Sequence, residues 1–260
     1  MRLRVRRTWV AAATLVLALA VAPPVLADDE PLPDQPVSAL EEACIRELRL
    51  GYEAVESGDA EEALVHYRAA LSSATTDVLR VQALLGLGSA YEARGQHDTA
   101  LAPLERASVL APEDARVWFT LGTVYEAAGR TDDAVGALQE AVRLDSSLAD
   151  AHWELCLLLS QLGRHADAAV ACRDATTADP ESPAAWIALA VATYHLGRFD
   201  EAAGLFREAL RLDPTSDEAT YGLGLALLFA DDKDGAVQQY VVLKGRQSEL
   251  ARDLYRRIFP

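Results

Sequence analysis

The chain has 260 residues, 51% of them hydrophobic and 25% charged, with a formal net charge of −16. That is enough apolar material for one or two globular domains, and the alanine- and leucine-rich mixture favours helices over strands. The negative charge is repelled by nucleic acid and by anionic membrane surfaces, so both are set aside as partners.

Residues 1–27 have the layout of a secretory signal peptide. MRLRVRR is a basic opening, the run from Thr8 to Ala22 is apolar, and PPVLA ends in small residues, which places cleavage after Ala27. The apolar run has fifteen residues, short of the roughly 20 that a spanning helix needs. A cleaved leader is therefore preferred to the alternative, a retained N-terminal membrane anchor. The protein is expected to be exported, periplasmic or secreted. Without its first 27 residues it keeps 20 basic side chains against 40 acidic ones. Residues 28–40, which open DDEPLPDQPV, read as an acidic, proline-rich leader predicted to be disordered.

From there to about residue 246 the sequence repeats itself. Small residues recur at Ala63, Ala100, Ala134, Ala168, Ala202 and Ala236, spaced 37, 34, 34, 34 and 34 apart. A turn column holds Gly58, Gly95, Gly129, Gly163 and Gly197, with Asp231 in the sixth place. A further column of small residues holds Gly51, Gly88, Gly122, Cys156, Ala190 and Gly224. Asp59, Asp98, Asp132, Asp200 and Asp234 fall at the start of the helix after each turn, where they are expected to cap free N–H groups. Pro103 falls inside such a helix and predicts a kink. In the last segment Leu250, Leu254 and Ile258 share one helical face, with Arg252, Arg256 and Arg257 expected toward water.

These columns resemble the tetratricopeptide repeat. Trp118, Leu121, Gly122, Tyr125, Ala134, Leu138 and Ala141 match its W-x2-L-G-x2-Y and A-x3-F pattern in order, and Trp186, Leu189, Gly197, Ala202, Phe206, Ala209 and Pro214 match it again. The resemblance implies an all-α, right-handed α-solenoid of about six helical hairpins (44–80, 81–114, 115–148, 149–182, 183–216 and 217–246 within a solenoid over 41–246). A C-terminal capping helix over 247–260 would close it. Stacked repeats bury a continuous core that one hairpin could not bury alone.

The residues do not point to an enzyme. There is no HExxH, GxSxG, Walker loop, CxxC or CxxCH, and no cofactor or metal is expected. Gly86-Leu87-Gly88 and Gly222-Leu223-Gly224 fall within helices at small packing slots, which argues against a nucleotide loop. His97 and His165 occupy equivalent places in two repeats, as expected of repetition rather than of a metal site. Cys156 and Cys172 lie on the two helices of one hairpin, about equally far from its turn at Gly163. A disulfide between them and a pair of small core residues both remain open. Cys44 is left over and reads as packing.

Function is then expected from surface. The resemblance identifies the first helix of each hairpin as the inner one, and its inward places carry Tyr52, Phe119, Trp153, Leu157, Tyr194 and Tyr221 as candidate partner-binding residues. Trp153, Tyr194 and Tyr221 are expected to be partly exposed. Glu126 and Glu154 suggest a partner with some positive charge. Inward lysines and asparagines, with which some relatives grip a C-terminal carboxylate, are missing. The expected function is a protein–protein interaction scaffold binding a protein segment or peptide, with no small-molecule substrate. The alternative is a structural module that self-associates as a homo-oligomer.

Overall fold

The computed structural model describes residues 38–260. The signal peptide and most of the proposed leader lie outside the described residues. All regular structure among them is helical: α1 (Ala39–Glu56), α2 (Ala60–Ser73), α3 (Asp77–Ala93), α4 (His97–Leu110), α5 (Ala115–Ala127), α6 (Thr131–Leu144), α7 (Ala149–Gln161), α8 (His165–Ala178), α9 (Pro183–His195), α10 (Phe199–Leu212), α11 (Asp217–Phe229), α12 (Lys233–Gly245) and α13 (Leu250–Ile258). Helix α1 begins inside the span expected for the leader, because the Ser38 side chain caps it by accepting from the Glu41 N–H.

The chain divides into two compact units, one ending at Leu144 and the other running from Asp145 to Pro260. In the first, α1, α3 and α5 each pair with the helix that follows, and α2 and α4 each pack onto the next hairpin. In the second, α7, α9 and α11 pair with α8, α10 and α12 in the same way, and α13 closes against α11 and α12. Each unit is a stretch of all-α solenoid in which neighbouring first helices touch side by side and second helices pack between their own first helix and the first helix of the next hairpin.

Turns follow from the glycine column. Gly58, Gly95, Gly129, Gly163 and Gly197 all take φ between +69° and +81°, the left-handed conformation that ends a helix cheaply only without a Cβ. Asp231 takes φ +67° in the same place despite its side chain. Asp231→Gly is therefore expected to raise stability by about 0.5–1 kcal/mol, read as a higher denaturation midpoint. Asp231→Ala gains nothing.

Capping differs from the sequence expectation. Asp59 caps α2 by accepting from the Glu62 N–H. Helix α12 is capped by Asp232, not by Asp234. Asp98, Asp132, Asp200 and Asp234 sit inside the first turn, where a carboxylate complements the helix dipole without capping a particular N–H. The cap positions before α8 and α10 are Arg164 and Arg198, whose side chains pair with Asp167 and Glu201. Helix α4 runs on through Pro103, which forgoes one backbone bond within it.

Packing inside each hairpin is a matter of matched volumes. A Cβ added to Gly88 would stand 2.5 Å from Leu104, and one added to Gly122 would stand 2.8 Å from Leu138. Two glycines receive a ring from the preceding hairpin. A Cβ at Gly86 would lie 2.4 Å from Tyr67, and one at Gly222 would lie 2.3 Å from Phe206. The two Gly-x-Gly stretches are thus double slots. Their first glycine admits an aromatic ring from the hairpin before, and their second lets another leucine close in. For Gly88 that is Leu104 of its own hairpin, and for Gly224 it is Leu254 of α13.

Candidate functional site

The second unit presents α7, α9 and α11 side by side, and helical spacing fixes which residues they offer on one face. Trp153 and Leu157 are i, i+4 on α7. Ile187, Val191 and Tyr194 are i, i+4, i+7 on α9. Tyr221, Leu225 and Leu228 repeat that spacing on α11. Trp153, Leu157, Ile187, Val191, Tyr194 and Leu228 are half-buried, so each packs on a neighbour and keeps surface for another molecule. The expected exposure holds for Trp153 and Tyr194.

It does not hold for Tyr221, which is only 3% exposed. Helix α13 lies across it, and its hydroxyl donates to Asp253. The same carboxylate oxygen accepts from Arg257 Nε at 2.9 Å. Burial, and then Asp253, push the Tyr221 hydroxyl up to about 12. The Tyr221 hydroxyl, then Arg257, hold Asp253 below the usual carboxylate range. Tyr221 thus helps to fasten the closing helix.

The sequence reading overlooked a second group of rings at the turn edge of this unit. Tyr194, Phe199 and Phe229 form a triangle with centroids 5.4–5.7 Å apart, and Phe229 is 51% exposed. One hairpin earlier, His165 and His195 make the equivalent contact, stacked at 4.4 Å. Burial, then the neighbouring His165, lower the pKa of His195. The signal was present in two columns: His165, Phe199 and Lys233 stand 34 residues apart, as do His195 and Phe229. Tyr194 edges onto both pairs, with His195 5.6 Å away, and so joins the turn-edge rings to the helix face.

In the first unit the equivalent face is less aromatic. Tyr52 is half-buried, but Phe119 is 9% exposed and Leu85 is buried completely. Glu92 and Glu126 lie one period apart on α3 and α5, and burial raises the pKa of both, with His97 partly opposing it at Glu92. Glu154, on α7, is half-buried.

Cys156 and Cys172 are wholly buried, and their sulfurs lie 2.06 Å apart, at bonding distance. They occupy the places filled by Gly122 and Leu138 one hairpin earlier, so two medium side chains replace a small and a large one. Cys44 is buried, its thiol donates to the Ala70 carbonyl at 3.2 Å, and burial pushes its pKa up. Among the described residues no three His, Cys, Asp or Glu side chains converge in a way that could hold a metal ion.

The family model described as the cilia and flagella-associated protein 70 C-terminal domain, a tetratricopeptide repeat family, matches residues 11–253. The chain belongs to this family. Solved tetratricopeptide repeat structures share its fold. The crystal structure of MamA protein is 27% identical, with a TM-score of 0.59 over 66% of this chain and 93% of that one. PilF of Pseudomonas aeruginosa is 18% identical, with a TM-score of 0.64 over 84% and 99%. A tetratricopeptide repeat protein from Parabacteroides merdae is 18% identical, with a TM-score of 0.61 over 84% and 86%. No curated protein matches the chain. The tetratricopeptide fold is a protein-interaction fold, and this chain is an all-α repeat scaffold of that fold. No helix among the described residues is long and apolar enough to cross a membrane.

Proposed function

We propose that this tetratricopeptide protein is an exported adaptor that docks a protein segment on the face formed by α7, α9 and α11. The observation that carries the reading is the set of half-buried apolar side chains there, Trp153, Leu157, Ile187, Val191 and Tyr194. Aromatic residues of this kind, packed at the base and open at the top, are where binding energy concentrates. The ring triangle of Tyr194, Phe199 and Phe229 extends the apolar surface toward the turns. Export is supported by the basic opening and short apolar run of residues 1–27. A disulfide between Cys156 and Cys172, which face each other across one hairpin, would also suit an oxidising compartment.

The test compares partner recovery from an envelope extract by the wild-type chain and by Trp153→Ala/Tyr194→Ala. Truncating one hot-spot ring costs about 2 kcal/mol or more, so recovery of a partner bound on this face should fall by roughly 30-fold or more. Equal recovery by the two proteins would show that this face does not hold the partner.

A further inference from the structure

The end of the second unit carries a surface of different character. Over residues 38–232 the chain has 33 acidic side chains against 14 basic ones. Over residues 233–260 the balance reverses, with six basic side chains (Lys233, Lys244, Arg246, Arg252, Arg256 and Arg257) against three acidic ones. Both lysines of the entire sequence are here.

Pairing reverses too. Of the 14 basic residues in 38–232, all except Arg68, Arg106 and Arg207 lie within 4 Å of a carboxylate. Of the last six, only Arg246 and Arg257 do. Arg246 reaches Asp217 and the Pro214 carbonyl, and Arg257 reaches Asp253. Lys233, Lys244, Arg252 and Arg256 are exposed, with no carboxylate of the described residues at ion-pair distance. In a chain so rich in acids, four cations without an ion-pair partner on two adjacent helices form a local positive field.

The two lysines bracket a strip of rings. Lys233 Nζ sits 5.0 Å from the Phe259 ring centroid, Phe259 is 5.0 Å from Tyr255, Tyr255 is 5.3 Å from Tyr240, and Lys244 Nζ sits 5.8 Å from Tyr240. Lys233, Tyr240 and Lys244 share one face of α12 at i, i+7 and i+11, and Tyr255 and Phe259 bracket the outer end of α13. Tyr255 is 46% exposed and Phe259 44%. Such a strip offers aromatic anchors in the middle and cations at both ends.

We infer that the α12–α13 surface is a second docking site, for an acidic segment of another protein that lays apolar side chains on Tyr240, Tyr255 and Phe259 and carboxylates on Lys233 and Lys244. Charge decides the class of occupant. Residues 145–232 of the same unit carry 15 acids against five basic residues, so a broad anionic plane such as a membrane or a nucleic acid duplex would meet repulsion around the strip. A single peptide is narrow enough to stay within the positive field, because charges farther than about 8–10 Å are screened at physiological salt. This site does not depend on the face of α7, α9 and α11.

The experiment uses the full chain and a fluorescein-labelled 15-residue peptide with phenylalanine and leucine at i, i+4 and i+7 among glutamates, beside its lysine-for-glutamate counterpart. Fluorescence anisotropy is expected to show saturable binding of the acidic peptide only. Lys233→Glu/Lys244→Glu and Tyr255→Ala should each weaken it at least tenfold, and raising the salt should weaken the wild type. Trp153→Ala/Tyr194→Ala should leave it unchanged, which separates this site from the face proposed above. Circular dichroism confirms that each variant is folded. The inference is overturned by equal affinity in wild type and strip variants, by absence of saturable binding, or by loss in Trp153→Ala/Tyr194→Ala alone. It is overturned equally if the strip variants change only flotation with phosphatidylglycerol vesicles, or only self-association by light scattering.

Discussion

Phe206→Ala is expected to destabilise the second unit by about 3–5 kcal/mol, the usual cost of emptying a buried phenylalanine site. The ring is 2% exposed, belongs to the same core cluster as Ala190 of its own hairpin and lies against Gly222 of the next, so its removal opens a void where two hairpins meet. Gly222→Ala probes the same contact from the other side. In an open helix this change stabilises by up to about 1 kcal/mol. Here the new methyl would stand 2.3 Å from the ring, and the expected result is a loss of about 1–3 kcal/mol. Adding Phe206→Leu should recover much of it. Gly204→Ala, also in a helix but with nothing within 4 Å, is the control and should stabilise. Hydrogen exchange read by mass spectrometry over α9–α11 gives the local opening free energy in each variant. A neutral Gly222→Ala would mean that the hairpins do not interlock through this ring.

The second large effect concerns Cys156 and Cys172. Their separation of 16 residues closes a small loop across α7 and α8. A cross-link of that span contributes about 3 kcal/mol, chiefly by restricting the unfolded chain. Reductant should therefore lower the urea midpoint of the wild type and leave that of Cys156→Ala/Cys172→Ala unmoved. Because Cys44 is buried and unpaired, it contributes nothing to the difference. A wild-type midpoint indifferent to reductant would show that the sulfurs are not joined in solution.

Much of this architecture can be read from spacing because the forces that set it are local. A turn that requires positive φ selects glycine, and five of six turn places are glycine; Asp231 could be assigned to the sixth by register alone. The double glycines at 86, 88, 222 and 224 fall within helices and call for close packing, which spacing also shows. What the sequence conceals is non-local. Tyr221 occupies an inward place by register, but its burial depends on a helix 32 residues further on whose Asp253 happens to meet its hydroxyl. Asp98, Asp132, Asp200 and Asp234 all fall just inside the first turn, and at α10 the cap position itself is Arg198, which offers the helix N–H groups no acceptor and pairs with Glu201. Nor does the 34-residue period mark the step from Leu144 to Asp145, where one compact unit gives way to the other. The ring triangle of Tyr194, Phe199 and Phe229 was legible in principle. Reading it required comparing columns at the turn edge, where small and polar residues are the usual occupants.

If the face of α7, α9 and α11 holds a partner's chain, site-specific photo-crosslinking from that face will capture it. A photoreactive amino acid replaces Leu157, half-buried on that face, or Val170, which is 62% exposed on α8. Irradiation in the native envelope is expected to give discrete protein adducts from position 157 and none from position 170. Adducts from 170 alone, or identical patterns from both, would contradict the claim.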